Sequence, residues 1–210
     1  EMSASLVGSE MCIRDRYLAS TAMEAGFSTR VLDMQALDLQ NGRFFDPAGE
    51  LVNRCFKLYP WEWMVDESPD GCLAEMEWLE PIWKLVMSNK AILATLYELF
   101  PDSPYVLPCY LSRPRSGLFC KKPIFSREGH NVSVVDIRDW EEYVRIAETE
   151  GDYNTGAYVY QEYVEPTAYS GRYPVIGSWI IGGEAAGIGI RENRMEVTDN
   201  LSEFVPHIIG

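Results

Sequence analysis

The sequence is poor in histidine, in paired cysteines and in positive charge, and each shortage removes a class of function. Two histidines, His130 and His207, give no metal-ligand spacing. The cysteines at 12, 55, 72, 109 and 120 form no C-x-x-C pair, and an odd, scattered set reads as the reduced thiols of a cytoplasmic protein. Eighteen basic residues stand against 32 acidic ones, a net charge of −14, which argues against a nucleic-acid partner and suits a cationic co-substrate such as a polyamine. No apolar run reaches the ~18–20 residues of a membrane span, since even the stretch 174–190 is glycine-rich and broken by Glu184. Residues 1–16 lack the apolar centre of a secretory signal. What is abundant is apolar matter: 47% of the 210 residues are hydrophobic, enough for a substantial core.

The stretch 117–131 organises the reading. Alternation along a strand places Leu118, Cys120, Lys122 and Ile124 on one face and Phe119, Lys121, Pro123 and Phe125 on the other. Lys122 therefore points where apolar side chains point, and a buried ammonium calls for an anion. In the loop that follows, Gly129 lets backbone N–H groups approach such an anion, and Arg127 offers a permanently charged planar fork. The loop at 126–131 has little apolar matter to pack against, which predicts mobility. A hairpin with surface lysines is the alternative for this stretch taken alone.

Residues 5–16 look like translated sequencing-adapter DNA, so residues 1–16 are set aside as non-native and 17–210 are expected to be part of a longer chain. Helical spacing from Tyr17 stops at Gly26, and 29–34 reads as a strand. Asn41-Gly42 marks a hairpin between 36–40 and 43–46, Pro47-Ala48-Gly49 a turn, and 51–59 a strand. The aromatic cluster at 60–64 reads as packing. An amphipathic helix over about 89–100 is capped by Ser88 or Asn89 and stopped by Pro101. Lys90 in its first turn opposes the helix dipole, a penalty of roughly 0.3–1 kcal/mol that a bound phosphate would reverse. Further expected elements are a strand at 132–136, a helix at 139–147 with Asp139 as N-cap, strands at 157–164, 173–181 and 185–191, a Gly182-Gly183 turn and a closing helix around 201–209.

Taken together, 80–93 (EPIWKLVMSNKAIL), 122–129 (KPIFSREG), 160–163 (YQEY) and 182–191 (GGEAAGIGIR) resemble the synthetase domain of the glutathionylspermidine synthase family, whose relatives include members without an amidase half. The resemblance implies an α+β, ATP-grasp-like fold in which two α/β subdomains with antiparallel sheets clamp ATP. It implies an ATP-dependent carboxylate–amine ligase working through an acyl-phosphate, with a small-molecule or peptide carboxylate and an amine as substrates, glutathione and a polyamine being one such pair. Carried over residue by residue, it implies that Lys90 and Lys122 bind ATP. Arg127 and Gly129 fall in the loop that closes on the phosphates, and Gln161, Glu162, Tyr163 and Val164 in the strand that meets the adenine. Arg191 falls near the transferred phosphate, so Arg127 and Arg191 are the expected catalytic groups. The family's Mg2+ ligands lie in R-x-D and E-x-N segments that have no counterpart here. The metal ligands are therefore expected upstream, and this chain alone is expected to be inactive. A nucleotide- or peptide-binding module without catalysis is the other reading.

Overall fold

The computed structural model describes residues 9–139, 142–153, 156–197 and 202–208, and the chain divides into two compact units at Leu85/Val86. In the first unit, helix α1 (Ser9–Glu24) ends as Gly26 predicts. Gly26 takes a φ of +92°, its N–H donates to the Met23 carbonyl at 2.9 Å, and the Phe27 N–H donates to the Ala22 carbonyl at 3.0 Å, the two bonds of a Schellman cap. The helix starts at Ser9 rather than Tyr17, so the segment set aside above is partly helical.

The strand expected at 29–34 does not form. Val31 is 61% exposed and Leu32 40%, so this stretch has no apolar face to bury. Asp33 instead caps a short 3-10 turn at Met34–Ala36, accepting from the Gln35 N–H at 3.0 Å. Strands β1 (Asp38–Gln40) and β2 (Arg43–Phe45) then pair as the predicted hairpin, with positive φ at both Asn41 and Gly42. The Asp46 carboxylate accepts from the N–H groups of Ala48 (2.9 Å) and Glu50 (2.8 Å), closing the next turn before β3 (Leu51–Val52) pairs with β2. The expected strand at 51–59 is therefore split into β3 and β4 (Arg54–Phe56). Helices α2 (Trp61–Glu67) and α3 (Pro69–Cys72) follow, and β5 (Glu77–Leu79) returns parallel to β4. The aromatic cluster packs as expected: Phe44, Trp61 and Met64 are buried, with the Trp78 ring edge-on to Phe44 at 5.7 Å and to Trp61 at 5.3 Å.

The division between units falls within the short helix α4 (Leu85–Ser88). In the second unit α5 (Ala91–Leu99) takes Lys90 as its N-cap residue, while the Asn89 side chain, one position before it, accepts from the Ala91 N–H at 2.9 Å. A five-stranded antiparallel sheet follows: β6 (Cys109–Tyr110), β7 (Gly117–Pro123), β8 (Ser133–Ile137), β9 (Tyr143–Glu148) and β10 (Tyr158–Glu162), in the order β6-β10-β7-β8-β9. Within 142–147 the expected helix is replaced by β9, and residues 140 and 141 lie outside the described residues. The Asp139 carboxylate accepts from the Glu142 N–H at 2.8 Å, and the β-branched and aromatic residues Tyr143, Val144 and Ile146 extend the ladder along β8.

A second sheet comprises β11 (Tyr173–Ile181), β12 (Glu184–Asn193) and β13 (Glu203–Val205). Gly182 and Gly183 turn β11 into β12 with φ of +61° and +86°, as their sequence predicts. Within 202–208 the closing helix is replaced by β13, which pairs with β12; residues 201 and 209 lie outside the described residues. The described residues thus form a mixed α and β structure with several antiparallel sheets.

Candidate functional site

Register fixes which side chains share a face of the five-stranded sheet. Lys122 lies opposite Val159, and Gln161 lies opposite Cys120 on one side and Cys109 on the other, so all five project from the same face. Val159 and Cys109 are buried there against Ala94 of α5. The opposite face carries Phe119, Lys121, Pro123, Tyr158 and Tyr160, packed in part against Val135 and Ile137. Lys122 does face apolar residues, as expected, but so does Lys121. The fully buried positions on β7 are Phe119 and Pro123, on the Lys121 face, while Lys121 and Lys122 are both half-buried. The reason is that β7 lies between β10 and β8 inside a sheet apolar on both faces, so alternation alone does not separate core from solvent.

The two lysines still differ in what they meet. The Lys121 ammonium sits 4.0 Å from the centroid of the Tyr158 ring. The Lys122 ammonium donates to Gln161 Oε1 at 2.7 Å, joining two residues singled out from separate motifs 39 positions apart. That partner is a neutral amide and not a carboxylate.

Lys90 occupies the N-cap position of α5. Its N–H donates to the Ile124 carbonyl at 2.8 Å, and its ammonium donates to the Ser126 carbonyl and, at 2.9 Å, to the Ser126 hydroxyl. Lys90 thereby ties the start of α5 to the root of the loop that carries Arg127 and Gly129.

That loop is better fastened than its composition predicts. The His130 N–H closes a turn on the Arg127 carbonyl at 2.9 Å, with Glu128, Gly129 and Asn131 all at positive φ. The Thr149 hydroxyl donates to the Gly129 carbonyl and accepts from the Val132 N–H at 2.9 Å. The Asn131 side chain donates to the Gly151 carbonyl and accepts from the Tyr153 N–H, both at 2.8 Å, and the His130 and Tyr153 rings meet edge-to-face. Polar side chains supply the anchoring that apolar ones do not.

Beyond β10 the chain stays pinned in extended form, because the Glu162 N–H donates to the Pro108 carbonyl at 2.8 Å and the Tyr163 N–H to the Leu118 carbonyl at 3.0 Å. Val164 is 60% exposed. The Tyr163 hydroxyl donates to the Glu196 carboxylate at 2.7 Å, which pushes its phenol up to about 12. Glu196 also lies near enough to Cys120 to raise the pKa of that thiol, although burial is the larger cause. From the Leu118 end of β7 to Lys122 is roughly 13 Å at about 3.3 Å per residue. The Tyr163 backbone thus joins β7 four residues before Lys122.

Arg191 is on β12, in register with Val175 and Phe204, with its guanidinium 5.9 Å from the Phe204 ring centroid. It belongs to the second sheet and not to the lysine-bearing one. An open hollow of about 450 Å³ is lined by Ala91 of α5, Ile124, Arg113, Tyr158 and Tyr160 among others. Among the described residues no three His, Cys, Asp or Glu side chains converge as metal ligands, so they do not by themselves fit a Mg2+ site. Sequence reasoning missed Ser126, Thr149, Asn131 and Glu196. The first three are polar residues of ordinary loop composition, and Glu196 follows β12 in a polar stretch with no motif to mark it.

Comparison with known proteins supports the motif reading. A family model described as glutathionylspermidine synthase preATP-grasp matches residues 8–210. A Haemophilus influenzae protein named, provisionally, as an acid–amine ligase is 36% identical over 200 residues, covering 91% of this chain and 51% of that protein. Trypanothione synthetase of Crithidia fasciculata is 36% identical over 130 residues, 60% of this chain and 19% of that protein. The bifunctional glutathionylspermidine synthetase/amidase of Escherichia coli is 26% identical over 226 residues, 92% of this chain and 36% of that protein. The chain spans about half the length of the first of these relatives and less of the other two.

Proposed function

This chain belongs to the glutathionylspermidine synthase family, and on that premise we propose that it provides the ATP grip of an ATP-dependent carboxylate–amine ligase. The observation that carries the reading is the Lys122–Gln161 hydrogen bond, which brings a candidate phosphate ligand and the candidate adenine strand onto one face of one sheet. An ammonium whose observed acceptor is an uncharged amide is suited to receive phosphate oxygens. Lys90, already bonded at the loop root, adds a second cation where α5 begins, and the loop bearing Arg127 and Gly129 supplies backbone N–H groups and a guanidinium. The N–H groups of Glu162 and Tyr163 are taken up by the Pro108 and Leu118 carbonyls, so a purine edge would meet this segment at the Val164 backbone, just past β10.

ATP would supply the phosphoryl group that activates a carboxylate toward an amine. Within this chain, Lys122, Lys90 and the loop bind and orient the phosphates. Arg127 and Arg191 would offset charge on the phosphoryl oxygens, Arg191 acting from the second sheet. No step is assigned to Mg2+, because the described residues do not form its ligand set. The names of the relatives point to glutathione and a polyamine as substrates of the complete ligase. Chain acidity, at −14, accords with the polyamine. The ATP-grasp clamp is part of the same proposal, since the antiparallel sheets are compatible with it.

Photolabelling with 8-azido-ATP tests the reading. Label at 158–164, blocked by excess ATP, is the expected result; label distributed over other strands, or unaffected by ATP, would contradict it.

A further inference from the structure

We infer that Glu196 is a positioning residue of the nucleotide site, acting through the Tyr163 hydroxyl to lock the adenine-facing strand to the turn that follows the Arg191 strand. The inference rests on the nucleotide-binding reading above and adds a residue that no motif contains.

The geometry has three links. Tyr163 is held at its backbone by the Leu118 carbonyl, so its ring leaves the end of β10 from a fixed point. Its hydroxyl reaches the Glu196 carboxylate at 2.7 Å. Glu196 in turn sits on a bend organised by Asn193, the last residue of β12, whose side-chain oxygen accepts from the Arg194 N–H at 2.7 Å and whose amide donates to the Val197 carbonyl at 3.1 Å. Arg191 lies two residues before Asn193 on that strand. One charge-assisted hydrogen bond thus connects the two sheets of the second unit through residues next to the groups each contributes.

Such bonds contribute more than neutral ones, and their value here lies in geometry: 161–164 and Arg191 can serve one bound nucleotide only if their separation is fixed. A carboxylate is also the wrong charge for a phosphate ligand. Its hydrogen bond to the Tyr163 hydroxyl assigns it to holding that residue and not to the phosphates.

The test compares the unaltered chain with Tyr163→Phe, Glu196→Ala, Glu196→Gln and the double variant Tyr163→Phe/Glu196→Ala, using calorimetric titration with ATP, thermal melting and the alkaline absorbance of tyrosine. We expect Tyr163→Phe and Glu196→Ala each to weaken ATP about tenfold while melting stays cooperative. The double variant should be no weaker than either single. Glu196→Gln, which retains an acceptor oxygen, should keep most of the affinity. Glu196→Ala should also return one phenol from about 12 toward 10. ATP binding by the parent with undiminished binding by both single variants would overturn the inference alone, as would losses that simply add in the double. Absence of ATP binding by the parent would overturn the functional reading and this inference with it.

Discussion

Lys122 and Gln161 meet diagonally across the β7–β10 ladder. The register partner of Lys122 is Val159 and that of Gln161 is Cys120, so the ammonium reaches one residue pair along the sheet to find its acceptor at 2.7 Å. Diagonal neighbours on one face lie ~7–8 Å apart, which a lysine spans with ease. Replacing the acceptor by an apolar group of similar size, Gln161→Leu, should therefore cost about 1 kcal/mol, the net value of one such bond with a half-solvated partner. Melting temperature should fall by about 2–4 °C for a chain of this size. An unchanged melting curve would show that water replaces the amide without loss.

Thr149 holds the phosphate loop through the Gly129 carbonyl. Thr149→Val keeps the shape and removes the hydroxyl, leaving the Val132 N–H without its side-chain acceptor. Trypsin should then cut after Arg127 several-fold faster than in the parent chain, and ATP should slow the cut in both. Equal cleavage of variant and parent would mean that Asn131 and the His130–Tyr153 contact fasten the loop unaided.

Tyr163 and Tyr59 should be the last tyrosines to ionise, both pushed up to about 12. Hydrogen bonding to Glu196 is the main cause at Tyr163 and burial at Tyr59. A raised phenol means that the folded state holds the proton more tightly. The associated stability is complete below pH 10 and is lost as pH rises through about 12. Absorbance at 295 nm should show two late phenols, and Tyr163→Phe should remove one. Removal of an early-titrating phenol by that variant would contradict the Glu196 contact.

Asp46 is pulled below its ordinary value of 3.8, first by the Glu50 N–H it accepts and then by Ala48 and Arg30. A lowered carboxyl stabilises the fold above its unfolded value, and that stability drains as pH falls through the lower folded value. Asp46→Ala should therefore lower the melting temperature at neutral pH and flatten its decline below about pH 4. Parallel curves for variant and parent at all pH values would show that the turn stands without the carboxylate.

Much of the second unit was legible because its signals are local. Gly182-Gly183 announces its turn by tolerance of positive φ, as Asn41-Gly42 does in the first unit, and β11 begins and ends where the β-branched and aromatic run does. Where the sequence suggests helices, 143–147 and 203–205 are strands, for a shared reason. Their strand character comes from pairing with β8 and β12, partners that a local window does not contain. The same limit applies to the site. Lys90, Lys122 and Gln161 stand in recognisable motifs, whereas Ser126 and Glu196 become visible only as the atoms that Lys90 and Tyr163 reach.

The account depends most on Lys122 as a phosphate ligand, and titration calorimetry with ATP, without added magnesium, examines that directly. The parent chain should bind ATP, Lys122→Met should bind at least tenfold more weakly, a loss of about 1.4 kcal/mol, and Lys121→Met should stay within about threefold of the parent. Equal affinity for Lys122→Met and the parent, or a loss confined to Lys121→Met, would contradict the account.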